Sequence, residues 1–217
     1  HELTPDDEAG GVIAHGFGTR HGELVPGGTT HLVLAADSLA VKRQFRSLGG
    51  TIRNCSGGIT PWNSWLTCEE SPTGPGQRYG DGLAKNHGWV FEVPAAATGL
   101  VPAEPLIALG RFNHEAACVD PETGIVYQTE DRDDSVLYRF IPAQPGNLLA
   151  GGRLQAMRIA GLPDTRNWTS SAMAVGQSFT VDWIDLDAVD SPAGDLRHRA
   201  AAQGASVIAR AERIHRA

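Results

Sequence analysis

One thiol and a handful of carboxylates carry the chemistry this sequence offers. Residues 53–70 read RNCSGGITPWNSWLTCEE. Arg53, Asn54 and Cys55, polar groups suited to a metal or a phosphate, open the stretch. Gly57 and Gly58 follow, where the backbone is free to adopt geometry that other residues resist, and Glu69 and Glu70 close it. Downstream, Glu115, Glu130 and Asp131 also stand at predicted strand ends. Carboxylates brought together repel, and each has its pKa raised unless a cation neutralises it. Oxygen ligands of this kind suit Ca²⁺ or Mg²⁺, while a thiolate among them suits a more thiophilic ion such as iron. Taken singly, the same residues also fit a blander structure, with a buried cysteine at a strand end, a glycine turn and solvated acids. Ser56 has no histidine signature near it, which disfavours a Ser-His-Asp arrangement.

Short strands must position these groups. Residues 30–35 (THLVLA) and 39–48 read as strands, the second alternating apolar with basic or polar residues. Residues 71–88 read as a loop, and WVFEV at 89–93 as a strand rich in β-preferring residues. Residues 94–105 form an Ala/Pro connection. Glu115 is placed just before a strand of small residues, and DPETG at 120–124 turns the chain, proline setting φ and glycine accepting left-handed geometry. Strands are predicted at 125–129 and 136–141, a strand pair with a Gly-Gly turn over 147–159, and a strand over 179–186. The last twenty residues are rich in Ala and Arg and predict a helix. His15, His21 and His31 read as solvated loop histidines. Strand, turn and strand in this cadence suit either a β-sandwich or the blades of a β-propeller.

Composition narrows the function. The chain has 217 residues, long enough for a real core, and its 26 glycines suit a turn-rich, mostly β protein. With 18 Lys and Arg against 25 Asp and Glu, the net charge is −7, which disfavours a general nucleic-acid binder. Cys55, Cys68 and Cys118 show no zinc-finger spacing and imply no disulfide framework. No apolar run is long enough to span a membrane. The chain shows no signal peptide and begins at His1, as a mature form or a fragment would.

The strings NCSGGITPWNSWLTCEE, HGWVFEV (87–93), GRFNHEAACVDPETGIVYQTEDR (110–132) and LYRFIP (137–142) resemble the signature of the PhoX-type alkaline phosphatases, secreted bacterial phosphomonoesterases. The resemblance is specific over residues 29–142 and weaker over 143–217. It implies an all-β fold of propeller-like antiparallel blades in a single domain spanning 1–217, with about three to four of the family's six blades. It also implies iron(III) and calcium, a phosphate monoester substrate, and a periplasmic or extracellular location. By resemblance, Cys55 is the iron-binding thiolate and Glu115 an iron-binding or bridging carboxylate. Glu69, Glu70, Glu130 and Asp131 are candidate calcium ligands, and Asn54 holds a phosphate oxygen. An Arg-x-Glu-Gly element of the family aligns with Arg210 and Glu212, the arginine for phosphate and the glutamate for metal, but Arg213 stands where glycine is expected. Cys68 and Cys118 are expected to be buried packing residues. Because the family continues past this point, the resemblance implies a truncated or drifted member with an incomplete ring and impaired activity. Two other readings compete: a noncatalytic propeller fragment serving as a binding or structural module, and a lactonase-like calcium propeller that would not need Cys55.

Overall fold

The structure, a computed structural model, describes residues 2–8 and 13–215. In chain order the strands are β1 (Thr19–Arg20), β2 (Glu23–Leu24), β3 (Gly27–Leu34), β4 (Val41–Thr51), β5 (Asn54–Ile59) and β6 (Ser64–Glu69). They continue as β7 (Val90–Pro94), β8 (His114–Val119), β9 (Val126–Glu130), β10 (Tyr138–Pro142), β11 (Gly152–Ile159) and β12 (Val181–Asp185), before one α-helix, α1 (Leu196–Ala202). Apart from the small β1–β2 hairpin they make three antiparallel sheets: β3–β4, β5–β6–β7, and β8 to β12 in sequential order. Each sheet is a blade of consecutive strands, and the set does not close into a barrel among the described residues.

The three-stranded and five-stranded sheets share the main core. Leu66, Cys68 and Val90 from the first pack with Val126, Tyr138, Phe140 and Leu154 from the second, and Leu196 and Ala200 of α1 cover one side. Alternation along each strand sends these apolar residues to the shared face. A second cluster joins Leu48 to Trp89, Phe91 and Val93 and so ties the β3–β4 sheet to β7. Arg111, fully buried, donates from Nε to the His87 carbonyl (2.6 Å) and from Nη1 to the Ser191 carbonyl (2.9 Å). It thereby pins two loops to the sheet pair.

Several expectations need correction. Gly57 and Gly58 do not turn the chain; they lie inside β5, and the turn comes at Pro61–Asn63, with Asn63 at φ 62°. The glycines serve close approach instead. A Cβ at Gly57 would stand 1.9 Å from the Leu66 carbonyl oxygen, and one at Gly58 would stand 1.8 Å from that of Ala117. Glu115 sits within β8 rather than before it. Residues 147–159 form a 3-10 turn, Leu148–Ala150, and a single strand rather than a pair. Among the described residues α-helix is confined to Leu196–Ala202; residues 205–215 run back along the sheet, where Ile208 bridges Ser135 and Arg210 N–H donates to the Arg132 carbonyl (2.8 Å). Those backbone pairings outweigh the helix propensity of the tail, whose residues 216 and 217 lie outside the described residues. His31 is no loop residue: it lies in β3, stacked on Phe45 (4.8 Å between centroids) and edge-on to Trp65 (5.2 Å). No described helix is long and apolar enough to cross a membrane.

The glycine contact is open to a direct test. Gly58→Ala forces a methyl into the Ala117 carbonyl and should destabilise the fold by about 1–3 kcal/mol or more. Gly99→Ala, which meets nothing within 4 Å, should leave the denaturant midpoint near that of the parent. Equal midpoints for the two variants would show that the sheets do not depend on this contact.

Candidate metal centre

The two sheets that share the core repeat one construction. Asn54 pairs with Glu69 at the start of β5, and the register then shifts so that Gly57 faces Thr67. His114 pairs with Glu130 at the start of β8, and the same shift brings Ala117 opposite Gln128. Each bulge re-aims the second residue of its strand. Cys55 and Glu115 hold these equivalent positions. The match extends outward: Glu70 N–H donates to the Arg53 carbonyl (2.9 Å), and Asp131 N–H donates to the Asn113 carbonyl (3.2 Å).

Close packing of β5 on β8 brings the equivalent side chains together. The Cys55 thiol donates to Glu115 Oε1 at 3.3 Å. One ligand atom each from Glu70, Glu115 and Asp131 lies within 4.8 Å of the others, and Glu2, Cys55 and Glu70 form a second such group. Glu70 belongs to both and is held from two sides, by Arg53 Nη2 on Oε2 (2.8 Å) and Asn113 Nδ2 on Oε1 (3.2 Å). Arg132 steadies Asn113 through its Oδ1 (3.0 Å). Arg210 Nε stands 3.1 Å from Asp131 Oδ1, an ion pair whose angle makes no hydrogen bond. A thiol, three clustered carboxylates and a nearby guanidinium therefore share one end of the inner strands.

Comparison with known proteins agrees with this architecture. The family profile described as Alkaline phosphatase PhoX matches residues 26–216. The chain belongs to the PhoX family. A solved structure of Pseudomonas fluorescens PhoX, in complex with vanadate, a transition state analogue, is similar at a TM-score of 0.54 and 23% identity. That match covers 91% of this chain and 44% of the other, so the chain spans less than half the length of that relative. The blades described above thus form part of a propeller-like fold. No curated protein matches the sequence.

The PhoX signature residues divide into two groups in space. Cys55, Glu70, Glu115 and Asp131 converge, with Arg210 beside Asp131. Glu212 is exposed; its backbone carbonyl accepts from Thr129 Oγ1 (3.5 Å), and its charge reaches Glu115 and Asp131. Glu69, Glu130 and Asn54 stand apart as frame. Glu69 is fully buried and accepts from the Ile52 (2.9 Å), Gly88 (2.8 Å) and Trp89 (3.1 Å) amides, with His87 Nδ1 at 2.7 Å. Glu130 accepts from the Tyr138 hydroxyl (3.0 Å), with Arg197 at 4.0 Å. Asn54 is buried, its amide occupied by Thr51 Oγ1 (2.5 Å) and Thr67 Oγ1 (3.1 Å). Cys68 lies in the core, while Cys118 is only half-buried, since its strand position faces the groove beside β5. Arg213 is exposed, and the left-handed residue of the tail is Arg210, at φ 51°. Glu2 and Asn113 were missed from sequence. Asn113 had a signal in its place beside His114 and Glu115 in the string at 110–132, whereas Glu2 precedes every recognisable string.

Electrostatics mark the cluster as short of positive charge. Cys55 is exposed, yet partial desolvation of its thiol pushes it up to about 12, assisted by its hydrogen bond to Glu115 and by the charges of Glu115, Glu70 and Glu2. Burial also raises Glu115; the Cys55 hydrogen bond opposes this, and Glu70, Glu212 and Asp131 add to it. Asp131 is raised by burial, lowered by Arg210 and raised again by Glu70 and Glu212. A bound cation reverses each of these effects.

Without metal, then, Cys55 should stay mainly a thiol at pH 8, although its side chain is exposed to reagent. Alkylation by iodoacetamide at pH 8, followed by peptide mass spectrometry, should be far slower at Cys55 than for free cysteine. Glu115→Gln removes the neighbouring charge and should move the alkylation profile to lower pH. Rapid alkylation of the metal-free parent at pH 8 would contradict this description.

Proposed function

We propose that the chain carries the iron and calcium side of a phosphomonoesterase centre, acting on phosphate monoesters as an alkaline phosphatase. The observation that carries this reading is the convergence of Cys55, Glu70, Glu115 and Asp131 at the bulged starts and ends of adjacent inner strands. The donor set fits the ions, since the thiol suits iron and the carboxylate oxygens suit calcium. Cys55 and Glu115 would hold iron; Glu70, Asp131 and, from the tail, Glu212 would face calcium. Bound there, the ions supply Lewis acidity toward phosphoryl oxygens.

The protein's own groups do the rest. Asn113 and Arg53 fix the orientation of Glu70, so its oxygens are set before ligand arrives. Arg210 rests against Asp131 and Asp133 in a half-exposed position, from which its guanidinium can turn to a phosphoryl group with charge-assisted hydrogen bonds. Asn54, Glu69 and Glu130 take no direct part in this reading. They hold the strand ends from which the ligands project.

Metal analysis and hydrolysis of a generic aryl phosphate test the proposal together. The parent should retain iron and calcium through gel filtration and hydrolyse the ester at alkaline pH. Cys55→Ser should lose iron while Cys118→Ser keeps it, and Arg210→Ala should lower turnover while both metals stay bound. A parent that retains neither metal, or a Cys55→Ser protein with undiminished iron, would overturn it.

A further inference from the structure

Arg53, like Arg210, reaches the centre from a left-handed backbone. Its backbone adopts φ 44°, a left-handed conformation that L residues other than Asn and Asp seldom take. Its amide donates to the Leu3 carbonyl at 2.7 Å, and Nη2 donates both to Glu70 Oε2 (2.8 Å) and to Glu2 Oε1 (2.9 Å). Arg53 Nε is buried and has no partner. Through Glu2 and Leu3, residues 2–8 are therefore fastened to Arg53 as a strap that begins beside Cys55 and Glu70. Thr4 and Asp7 close it into a turn, with Thr4 N–H on Asp7 Oδ2 (2.7 Å), and Asp6 ties it to Arg20.

The strap places a carboxylate where the chemistry above does not need one. Glu2 adds negative charge beside Cys55 and Glu70, within 4.8 Å, and its partner is already a guanidinium. A phosphate monoester dianion is the same kind of partner for that group, and a better one, since it matches the planar fork with more oxygens and more charge. The Glu70 contact is the more buried of the two and serves to orient a ligand, whereas the Glu2 side chain is 51% exposed and free to leave. The geometry points to Arg53 as an anchor for the substrate's phosphate, its place held in the free protein by Glu2. This rests on the phosphomonoesterase reading. It makes residues 2–8 a built-in competitor: phosphate displaces the Glu2 carboxylate, and the strap loosens as the ester binds. Exposed ion pairs are individually weak, which bounds the competition at about two- to fivefold in affinity.

Titration calorimetry with inorganic phosphate tests this on the full chain loaded with iron and calcium, alongside amide hydrogen exchange of residues 2–8. Glu2→Gln should bind phosphate about two- to fivefold more tightly than the parent. Arg53→Gln should bind it more weakly, with Arg53→Lys between, because an ammonium keeps the charge and loses the fork. Phosphate should speed exchange in residues 2–8 of the parent. Unchanged affinity in Glu2→Gln, or a strap whose protection survives saturating phosphate, would overturn the inference while leaving the phosphatase reading intact. Loss of bound metal in Glu2→Gln would also overturn it, because Glu2 would then be a ligand. A parent that holds its metals but neither binds phosphate nor hydrolyses an aryl phosphate would remove the phosphatase reading, and this inference with it.

Discussion

The centre depends on backbone meeting backbone, with no side chain between. At Gly58, β5 passes so close to β8 that a single methyl would stand 1.8 Å from the Ala117 carbonyl oxygen. Gly57 makes the same close approach within the hairpin, over Leu66. Only this spacing lets residues near the start of each strand, Cys55 and Glu115, meet at 3.3 Å although sixty positions separate them in the chain. A glycine in a strand interior costs conformational entropy and packs nothing. Here that cost is offset by what the contact positions.

Charge sets the second constraint. Glu69 shows what a settled buried carboxylate looks like in this fold: backbone amides and a histidine ring occupy its acceptor sites. The cluster above it is different. Glu115 and Asp131 are both pushed up by burial and by their acidic neighbours, and Asp131 Oδ1 is buried without a hydrogen bond. Arg53 and Asn113 donate to Glu70 and Arg210 places its charge against Asp131, whereas the hydrogen-bond partner of Glu115 is a thiol. Like charges arranged this way repel, and a cation between them would relieve the repulsion.

Strand content and the family were legible in sequence because they rest on local pattern and on contiguous strings, but the strings did not separate Cys55, Glu70, Glu115 and Asp131, which converge, from Asn54, Glu69 and Glu130, which do not. WVFEV and the DPETG turn announce themselves through propensity and φ preference. The blade repeat was not legible, because it is kept in register rather than in letters: Asn54 answers His114, Cys55 answers Glu115, and Arg53 answers Asn113. Glycines 57 and 58 suggested a turn, since a tight turn and a close approach ask for the same missing Cβ and differ only in what lies opposite. The tail suggested a helix, since propensity carries no information about the unpaired strand edge waiting at Ser135. Glu2 could not be found at all, because its place is set by a backbone bond between Arg53 and Leu3.

The paired acids at 69–70 and 130–131 look redundant in sequence, yet adjacency gives the two members of each pair different work. Side chains on a strand alternate between faces, so two consecutive residues at a strand end cannot both point into one site. Glu69 and Glu130 turn inward, where one binds amides and His87 and the other binds Tyr138 beside Arg197. Burial lifts Glu130 to about 7, with Arg197 and Tyr138 pulling it down, as befits a carboxylate held by the fold rather than by water. Glu70 and Asp131, one residue on, face the centre. The inward acid fixes the strand end by satisfying donors that would otherwise be buried unpaired, and the strand end then fixes the outward acid. An apolar residue in place of the first would loosen the second without touching it. This is why the acids come in pairs at both positions: in each pair, the first holds the backbone that aims the second.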